Sequence, residues 1–177
     1  AAPDVLNVFL QVLDDGRLTD SKGRTVSFAN TIILFTSNIG ARVLLEQGCT
    51  PAAKAAVMAA VRAHFRPEFL NRLDDVITFA PLSQADLLAV SRLAGAELTS
   101  RLATRGVGLA FTGAALAHAV AESYAPEFGA RPLRRWLEHA VITTLSRMLV
   151  AGEVGEGDAV EVDAGGGGGE AGLTYTV

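Results

Sequence analysis

The first thirty residues alternate between apolar and polar positions in a way that predicts a helix followed by a hairpin. Apolar residues within 5–13 fall at the spacing of one broad helix face, which predicts a helix that ends near Asp14. Residues 17–19 and 25–28 surround the turn-forming sequence Asp-Ser-Lys-Gly and are predicted to pair as a short hairpin. The chain therefore begins with a helix and a two-stranded ribbon.

Two short apolar runs follow, with a helical stretch between them. Residues 31–36 and 76–79 are continuously apolar or β-branched, which is typical of strands buried on both faces. The alanine-rich stretch 52–65 predicts a helix that Pro67 brings to an end. Strands separated by helices are typical of a parallel or mixed sheet, so this half predicts an α/β fold.

The pattern changes at Pro81, which marks a domain boundary and divides the chain into residues 1–79 and 80–177. A long amphipathic helix is predicted over 83–103, with Ser83 as its N-cap and Asp86 at the third helical position. The remaining predicted elements are a strand at 107–112, helices at 113–124 and 130–150, strands at 159–162 and 173–177, and a flexible glycine loop at 165–169. This half predicts a small α+β domain.

Charge and cysteine content exclude several classes of function. The net charge is −4, and no Lys or Arg occurs from Val150 onward, which argues against nucleic acid as the main partner. No apolar run is long enough to span a membrane, and no signal peptide is visible. Cys49 is the single cysteine, and the three histidines lack ligand spacing, so no disulfide framework or metal site is expected.

Asn38 is the first candidate for a role in chemistry. It follows directly on the apolar run 31–36 and Ser37, and ligands of open α/β sheets bind beyond the C-terminal ends of the strands. An amide at this place can orient a water molecule or a phosphate group. The alternative is that Ser37 or Asn38 caps the next helix, and the position alone does not distinguish the two.

Arg72 is the second candidate, and it also has two interpretations. It precedes Asp74 and Asp75 in the sequence, so an ion pair on a solvated turn would explain it. The other interpretation is that Arg72 reaches across a subunit boundary to a neighbour's nucleotide. Arginine suits that role because its planar fork binds phosphate at two points and stays charged.

Arg131 is the third candidate, and its local sequence favours an anion-binding role. Pro132 is predicted to be the first residue of a helix, which places Arg131, Arg134 and Arg135 at the helix N-terminus. Cations there oppose the helix macrodipole, and a bound phosphate would relieve the conflict. Arg134 and Arg135 are interpreted as ordinary surface residues.

The sequence lacks two elements that a complete ATP site needs. It has no Gly-x-x-x-x-Gly-Lys-Ser/Thr loop to hold the phosphates. No apolar strand ending in Asp-Glu precedes the first helix. We therefore interpret the chain as a fragment cut inside a domain, and we do not expect it to hydrolyse ATP alone.

Four motifs, taken together and in order, closely resemble the second AAA+ module of the Clp family. They are residues 10–26 (Leu-Gln-Val-Leu-Asp-Asp-Gly-Arg-Leu-Thr-Asp-Ser-Lys-Gly-Arg-Thr-Val), 36–38 (Thr-Ser-Asn), 65–74 (Phe-Arg-Pro-Glu-Phe-Leu-Asn-Arg-Leu-Asp) and 129–135 (Gly-Ala-Arg-Pro-Leu-Arg-Arg). The resemblance covers nearly the whole chain except the glycine run.

The resemblance implies a role for each candidate residue and for each half of the chain. Asn38 matches the sensor-1 residue, Arg72 the arginine finger and Arg131 the sensor-2 arginine. Residues 1–79 would be the C-terminal half of the large subdomain of a P-loop ATPase, and residues 80–177 the small C-terminal domain. ATP and Mg²⁺ would be bound mainly by residues upstream of this chain.

The family also implies partners and a place in the cell. Its members form homo-hexameric rings that thread unfolded or aggregated polypeptide through a central pore, and co-chaperones assist some of them. Peptidase-coupled members carry an Ile-Gly-Phe/Leu docking tripeptide that residues 39–64 lack, so the chain resembles the ClpB-type disaggregases instead. Residues 134–138 resemble the plant-type cytosolic version, which implies the cytoplasm. The remaining alternatives are a non-catalytic oligomerisation module and a peptidase-coupled unfoldase.

Overall fold

A computed structural model of the chain describes residues 3–165 and 170–177. Contacts divide it into two compact units, Ala1–Ala80 and Pro81–Val177. The predicted glycine loop 165–169 lies outside the described residues except for Gly165. Among the helices that the structure describes, none is both long enough and apolar enough to cross a membrane.

The first unit is mainly helical. Its elements are α1 (Pro3–Asp15), β1 (Arg17–Thr19), β2 (Thr25–Ser27), α2 (Ala41–Gln47), α3 (Pro51–His64) and α4 (Pro67–Leu70). The predicted first helix, the hairpin and the alanine-rich helix are confirmed, and β1 and β2 pair antiparallel with Leu18 opposite Val26. Thr50 caps α3, since its hydroxyl accepts the backbone N–H of Ala53 at 3.2 Å.

The two strands predicted at 31–36 and 76–79 are wrong for this structure. Both segments lack regular secondary structure, and most of their apolar side chains are exposed: Ile32 is 91% exposed and Phe79 is 80% exposed. A strand buried on both faces needs neighbouring strands for its backbone and side chains. The described residues provide no neighbouring strand for either segment, so the predicted sheet does not form around them.

Aromatic rings join three parts of the first unit. Phe35 packs edge-on against Phe9 of α1 and against Phe69 of α4, with ring centroids 5.2 Å apart in both pairs. Phe65 stacks on Phe69 at 5.4 Å. Such pairs add about 0.5–1.5 kcal/mol each beyond their buried area. This aromatic ladder (Phe9, Phe35, Phe65 and Phe69) fixes α1 relative to α4.

The second unit packs three helices against a small sheet. Its elements are α5 (Gln84–Ala103), β3 (Gly108–Phe111), α6 (Gly113–Ser123), a 3₁₀ turn (Pro126–Phe128), α7 (Arg131–Ala151), β4 (Ala159–Ala164), a second 3₁₀ turn (Glu170–Gly172) and β5 (Leu173–Thr176). The strand order is β3-β4-β5, with the first pair parallel and the second antiparallel. The predicted α+β architecture is confirmed.

The core of the second unit combines side chains of α5, α6 and α7 with those of the sheet. Leu133, Leu137, Val141 and Leu145 recur at helical spacing on α7, and all are buried. They belong to one apolar cluster with Val160, Val162 and Leu173 of the strands. Trp136 packs against the same cluster and is partly buried. This cluster is the main source of stability in the unit.

The start of α5 confirms the predicted capping box. The Ser83 hydroxyl accepts the backbone N–H of Asp86 at 3.2 Å, and the Asp86 carboxylate accepts the backbone N–H of Ser83 at 2.9 Å. Hydrogen bonds from Ser83, first from its hydroxyl and then from its backbone, lower the pKa of Asp86. The capping box therefore favours the charged carboxylate at the positive end of the helix.

Asp163 connects the end of β4 to the start of α6. Its carboxylate accepts hydrogen bonds from the Thr112 hydroxyl and the Ala164 backbone N–H, and these bonds, that from Thr112 first, lower the pKa of Asp163. Thr112 also caps α6, because its hydroxyl accepts the N–H of Ala115 at 3.1 Å. The charged form of Asp163 therefore stabilises a junction between strand and helix.

We expect Asp163→Asn to reduce the pH dependence of unfolding. The unfolded carboxyl titrates near its usual pKa of about 3.9, and the folded one titrates lower. Its stabilising contribution is therefore complete above pH 4 and is lost as the pH falls through the folded pKa. Urea unfolding, followed by Trp136 fluorescence, measures the free energy of unfolding. The difference in this free energy between wild type and variant should become smaller from pH 7 to pH 2. Glu161→Gln, at an exposed position on the same strand, is the control. If the free-energy difference for Asp163→Asn does not depend on pH, the charged form of Asp163 does not have the stabilising role assigned to it.

Candidate functional site

Asn38 lies exposed at the end of the irregular segment that follows β2. It does not cap α2, because Gly40 occupies the N-cap position and no side chain caps the helix. The Ser37 hydroxyl accepts the backbone N–H of Ile39 at 3.2 Å, so Ser37 stabilises the turn instead. Within the described residues, the Asn38 side-chain amide makes no hydrogen bond. The capping interpretation is therefore wrong for Asn38, and its amide is available to a ligand.

Gly40 fixes the backbone directly after Asn38. It adopts the left-handed conformation with φ 75°, and a Cβ atom there would lie 2.8 Å from Val57 Cγ2 on α3. Only glycine satisfies both the conformation and the close approach. The segment that presents Asn38 is thereby held against a helix of the first unit.

Arg72 follows α4 and forms an ion pair with a carboxylate that sequence proximity did not indicate. Its Nε donates to Asp14 Oδ1, and its Nη1 donates to the backbone oxygen of Glu68 at 2.7 Å. The partner is therefore Asp14 of α1, and the predicted alternative with Asp74 or Asp75 is wrong. The hydrogen bond to Asp14 is the main cause that raises the pKa of Arg72.

Arg131 is the first residue of α7, which places the start of the helix between the two predicted starts, residue 130 and Pro132. Ala130 at the N-cap provides no side-chain hydrogen bond, and the first turn contains no acidic residue. Arg134 pairs with Glu97 on the surface at 2.9 Å, which confirms its interpretation as a surface residue. Across the described ranges, Arg131 has neither an ion pair nor a side-chain hydrogen bond. Its charge and the helix N–H groups are therefore available to an anion.

The three candidates are divided between the two units. Asn38 and Arg72 belong to the first unit and Arg131 to the second. No hydrogen bond or ion pair joins Asn38 to Arg72 in the part of the chain that the structure describes. The aromatic ladder links them indirectly, because Phe35 lies three residues before Asn38 and contacts Phe69, three residues before Arg72.

Asp14 is the residue near this site that sequence reasoning missed. The sequence predicts only that the first helix ends near Asp14, and α1 ends at Asp15. The available signal was the motif 10–26, which includes both aspartates. Nothing in that motif indicates a contact with a residue 58 positions away.

The second unit has two surface cavities that do not include the candidate residues. Two cavities of about 350 and 400 Å³ lie along α7, and both are lined by Arg135, His139 and Thr143. None of the three candidate residues lines either cavity. Among the described residues, no group of three or more His, Cys, Asp or Glu side chains could hold a metal ion.

Comparisons with known proteins identify the family. Residues 1–76 match the family model described as an AAA domain of the Cdc48 subfamily, and residues 82–162 match the C-terminal, D2-small domain of ClpB. The chain belongs to the ClpB family. It corresponds to the C-terminal region of a ClpB-type second AAA module.

Curated ClpB chaperones are similar over most of the chain. ClpB of Nitratidesulfovibrio vulgaris is 47% identical over 168 residues, and ClpB of Streptomyces albus G is 47% identical over 163 residues. Each match covers 92% of this chain and 19% of the relative. The chain therefore spans about a fifth of the length of these relatives. They are bacterial, and the plant-type assignment stays a prediction.

Two solved structures of Hsp104, the first from S. cerevisiae, share the fold. The extended Hsp104–casein complex is 34% identical with a TM-score of 0.83, and the match covers 93% of this chain and 29% of that one. The closed Hsp104 structure with ATPγS and labelled casein is 31% identical with a TM-score of 0.86. The match covers 99% of this chain and 30% of that one. The fold is thus that of the corresponding region of an AAA+ disaggregase, and the family is one of AAA+ ATPases.

Proposed function

We propose that this chain is part of an ATP-driven ClpB-type disaggregase and supplies Asn38, Arg72 and Arg131 to the nucleotide sites of a ring. Residues 1–79 would complete the large ATPase subdomain, and residues 80–177 would form the small C-terminal domain. The observation that carries the proposal is the set of contacts and the exposure of the Arg72 side chain. It is charged, held on one side by Asp14 and Glu68, and partly exposed to solvent.

Each candidate residue has a defined task in this proposal. The Asn38 amide orients the attacking water or the terminal phosphate. Arg72 acts on the nucleotide of the neighbouring subunit, where an arginine stabilises the charge that develops during phosphoryl transfer. Arg131 binds phosphate at the N-terminus of α7, where both the backbone N–H groups and the helix dipole favour an anion.

The partners of this protein follow from the same proposal. ATP and Mg²⁺ are bound mainly by residues upstream of this chain, and the ring is a homo-hexamer. Its substrates are unfolded or aggregated polypeptides in the cytoplasm, with co-chaperones assisting and with no nucleic acid or membrane partner. The casein present in both Hsp104 structures supports this class of substrate.

A second candidate function is a non-catalytic assembly module. The observation in its favour is the exposed apolar surface of the segments 31–36 and 76–79. Side chains that are largely exposed there need a neighbouring sheet or subunit to cover them. Such a chain would join a ring without turning over ATP. The peptidase-coupled alternative has less support, because residues 39–64 lack the docking tripeptide.

Recovery of an aggregated enzyme by the full-length protein tests the proposed function. We expect ATP and co-chaperones to restore the activity of a heat-aggregated reporter enzyme, and this chain alone to restore none. Omission of ATP is the control. Recovery by the full-length protein without ATP would contradict the proposal. Degradation of the reporter when a ring peptidase is added would favour the peptidase-coupled alternative.

We expect Arg131→Ala in the full-length protein to weaken ATP binding by about ten- to a hundred-fold, the value of a charge-assisted hydrogen bond to phosphate. Titration of a fluorescent ATP analogue measures the Kd. Arg134→Ala is the matched control, because Arg134 lies in the next turn of the same helix and pairs with Glu97. Equal Kd values for the two variants would rule out a specific role for Arg131.

A further inference from the structure

Two contacts fix the guanidinium of Arg72 in its plane. Asp14 accepts a hydrogen bond from Nε, and the backbone oxygen of Glu68 accepts one from Nη1 at 2.7 Å. The two acceptors come from different elements, α1 and α4. A planar fork that is bound at two of its three nitrogens has little freedom to rotate.

The third nitrogen of Arg72 is left available. Within the described residues, Nη2 has no hydrogen-bond partner. An arginine that binds a phosphate uses adjacent N–H groups of the fork, and Nη2 with the remaining proton of Nη1 provides such a pair. The contacts to Asp14 and Glu68 use Nε and one proton of Nη1, so the protons of Nη2 are not used by them.

We propose that Asp14 is a positioning residue, which holds the Arg72 guanidinium so that Nη2 points toward the phosphate of a neighbouring subunit. The proposal rests on the proposed role of Arg72 in a ring ATPase. Arg72 is the residue that touches the nucleotide, and Asp14 acts only through it. The aromatic ladder supports this arrangement, because it fixes α1, which carries Asp14, relative to α4, which precedes Arg72.

Exposure argues against a purely structural role for the Asp14–Arg72 pair. The side chains of Asp14 and Arg72 are 45% and 34% exposed. Ion pairs between solvent-exposed side chains contribute about 0–1 kcal/mol to stability. A pair of this kind adds little to folding, whereas a small misplacement of a catalytic group lowers a rate by up to about a hundred-fold. The pair therefore has more to contribute to orientation than to stability.

Asp15 provides a matched control for Asp14. It is the next residue at the end of α1, is also exposed, and has no ion pair or side-chain hydrogen bond among the described residues. Asp15→Asn removes the same charge one position away. Any general effect of charge at the end of α1 will appear in both variants, and an effect on Arg72 will appear only in Asp14→Asn.

Steady-state ATP hydrolysis by the full-length ring tests the proposal. We expect Asp14→Asn and Asp14→Ala to lower kcat about ten- to a hundred-fold with KM for ATP unchanged, and Asp14→Glu to recover part of the loss. Asp15→Asn should leave kcat unchanged. In an Arg72→Ala background, Asp14→Ala should cause no further loss, because the two residues act as one unit. Gel filtration establishes that each variant still forms rings.

The outcomes separate this inference from the function on which it rests. If Arg72→Ala leaves kcat intact, the proposed finger role is wrong, whatever Asp14 does. If Arg72→Ala abolishes turnover while Asp14→Asn does not, only the positioning role is wrong. If kcat rises in Asp14→Asn, the positioning role is wrong, and the contact with Asp14 instead restrains Arg72. Equal losses in the Asp14 and Asp15 variants would also overturn it.

A spectroscopic readout on this chain is independent of ATP hydrolysis. In a ¹H–¹⁵N spectrum, we expect the Nε–H resonance of Arg72 to be protected from solvent exchange, since it donates to Asp14. Asp14→Asn should increase its exchange and shift it, and Asp15→Asn should not. An Nε–H resonance that is equally exposed in the wild type and both variants would contradict the contact on which the proposal depends.

Discussion

Replacing Arg72 with alanine in the full-length protein is expected to lower the kcat of ATP hydrolysis by about a thousand-fold, the lower end of the range for an arginine finger. In the proposed finger role, the guanidinium would stabilise negative charge that develops only in the transition state. Ground-state binding of ATP should then change little, because the proposal assigns most of the nucleotide contacts to residues upstream of this chain. Single-turnover hydrolysis and nucleotide titration measure the two effects separately.

Arg72→Lys is the informative companion variant. It keeps the positive charge but loses the planar fork, so it should recover only a small part of the lost rate. Arg66→Ala serves as the control, because Arg66 lies just before α4 and has no assigned role. Full turnover in Arg72→Ala rings would disprove the finger assignment, and a loss of ATP binding equal to the loss of kcat would assign Arg72 to ground-state binding.

Truncating Leu137 is expected to be the most damaging change to the fold. Its side chain is 1% exposed and lies in the apolar core cluster of the second unit. Leu137→Ala should lower the free energy of unfolding of the second unit by about 2–5 kcal/mol, through lost burial and a residual cavity. Urea unfolding of this chain, followed by Trp136 fluorescence and by circular dichroism, provides the measurement.

Leu149→Ala is the matched control for Leu137→Ala. Leu149 is on the same helix but is 40% exposed, so its truncation should change stability by less than about 1 kcal/mol. A similar loss in both variants would mean that α7 does not bury the face assigned to it. Retention of wild-type stability in Leu137→Ala would contradict the described core directly.

The sequence was most informative where local chemistry determines structure. The capping box of Ser83 and Asp86 and the long helix after it depend on residues a few positions apart, and both were predicted correctly. The helix predicted at 130–150 also agrees with α7, whose buried face carries Leu133 and Leu137. These features follow from helix geometry, which a single segment contains in full.

Prediction failed where structure depends on distant partners. The segments 31–36 and 76–79 have the composition of buried strands, but a strand forms only beside another strand, and the described residues provide none for them. The ion-pair partner predicted for Arg72 was wrong for a similar reason. Asp74 and Asp75 are near in sequence, whereas Asp14 is brought close only by the packing of α1 against the rest of the first unit.

The candidate site shows the same division. Motif order indicated Asn38, Arg72 and Arg131, and the structure describes each with a side chain or helix end available to a ligand. Asp14 was missed because its contact with Arg72 crosses two elements that no local pattern relates. The short helices α2 and α4 were also missed, since seven and four residues are too few to establish a period.

A cryo-electron microscopy reconstruction of the full-length ring with a slowly hydrolysed ATP analogue would test the proposed role of this chain most directly. We predict that Arg72 Nη2 lies within about 3 Å of a terminal phosphate oxygen of the neighbouring subunit's nucleotide, with Asp14 still bound to Nε. A nucleotide-filled ring in which another cation occupies that place, and Arg72 points elsewhere in every subunit, would contradict it.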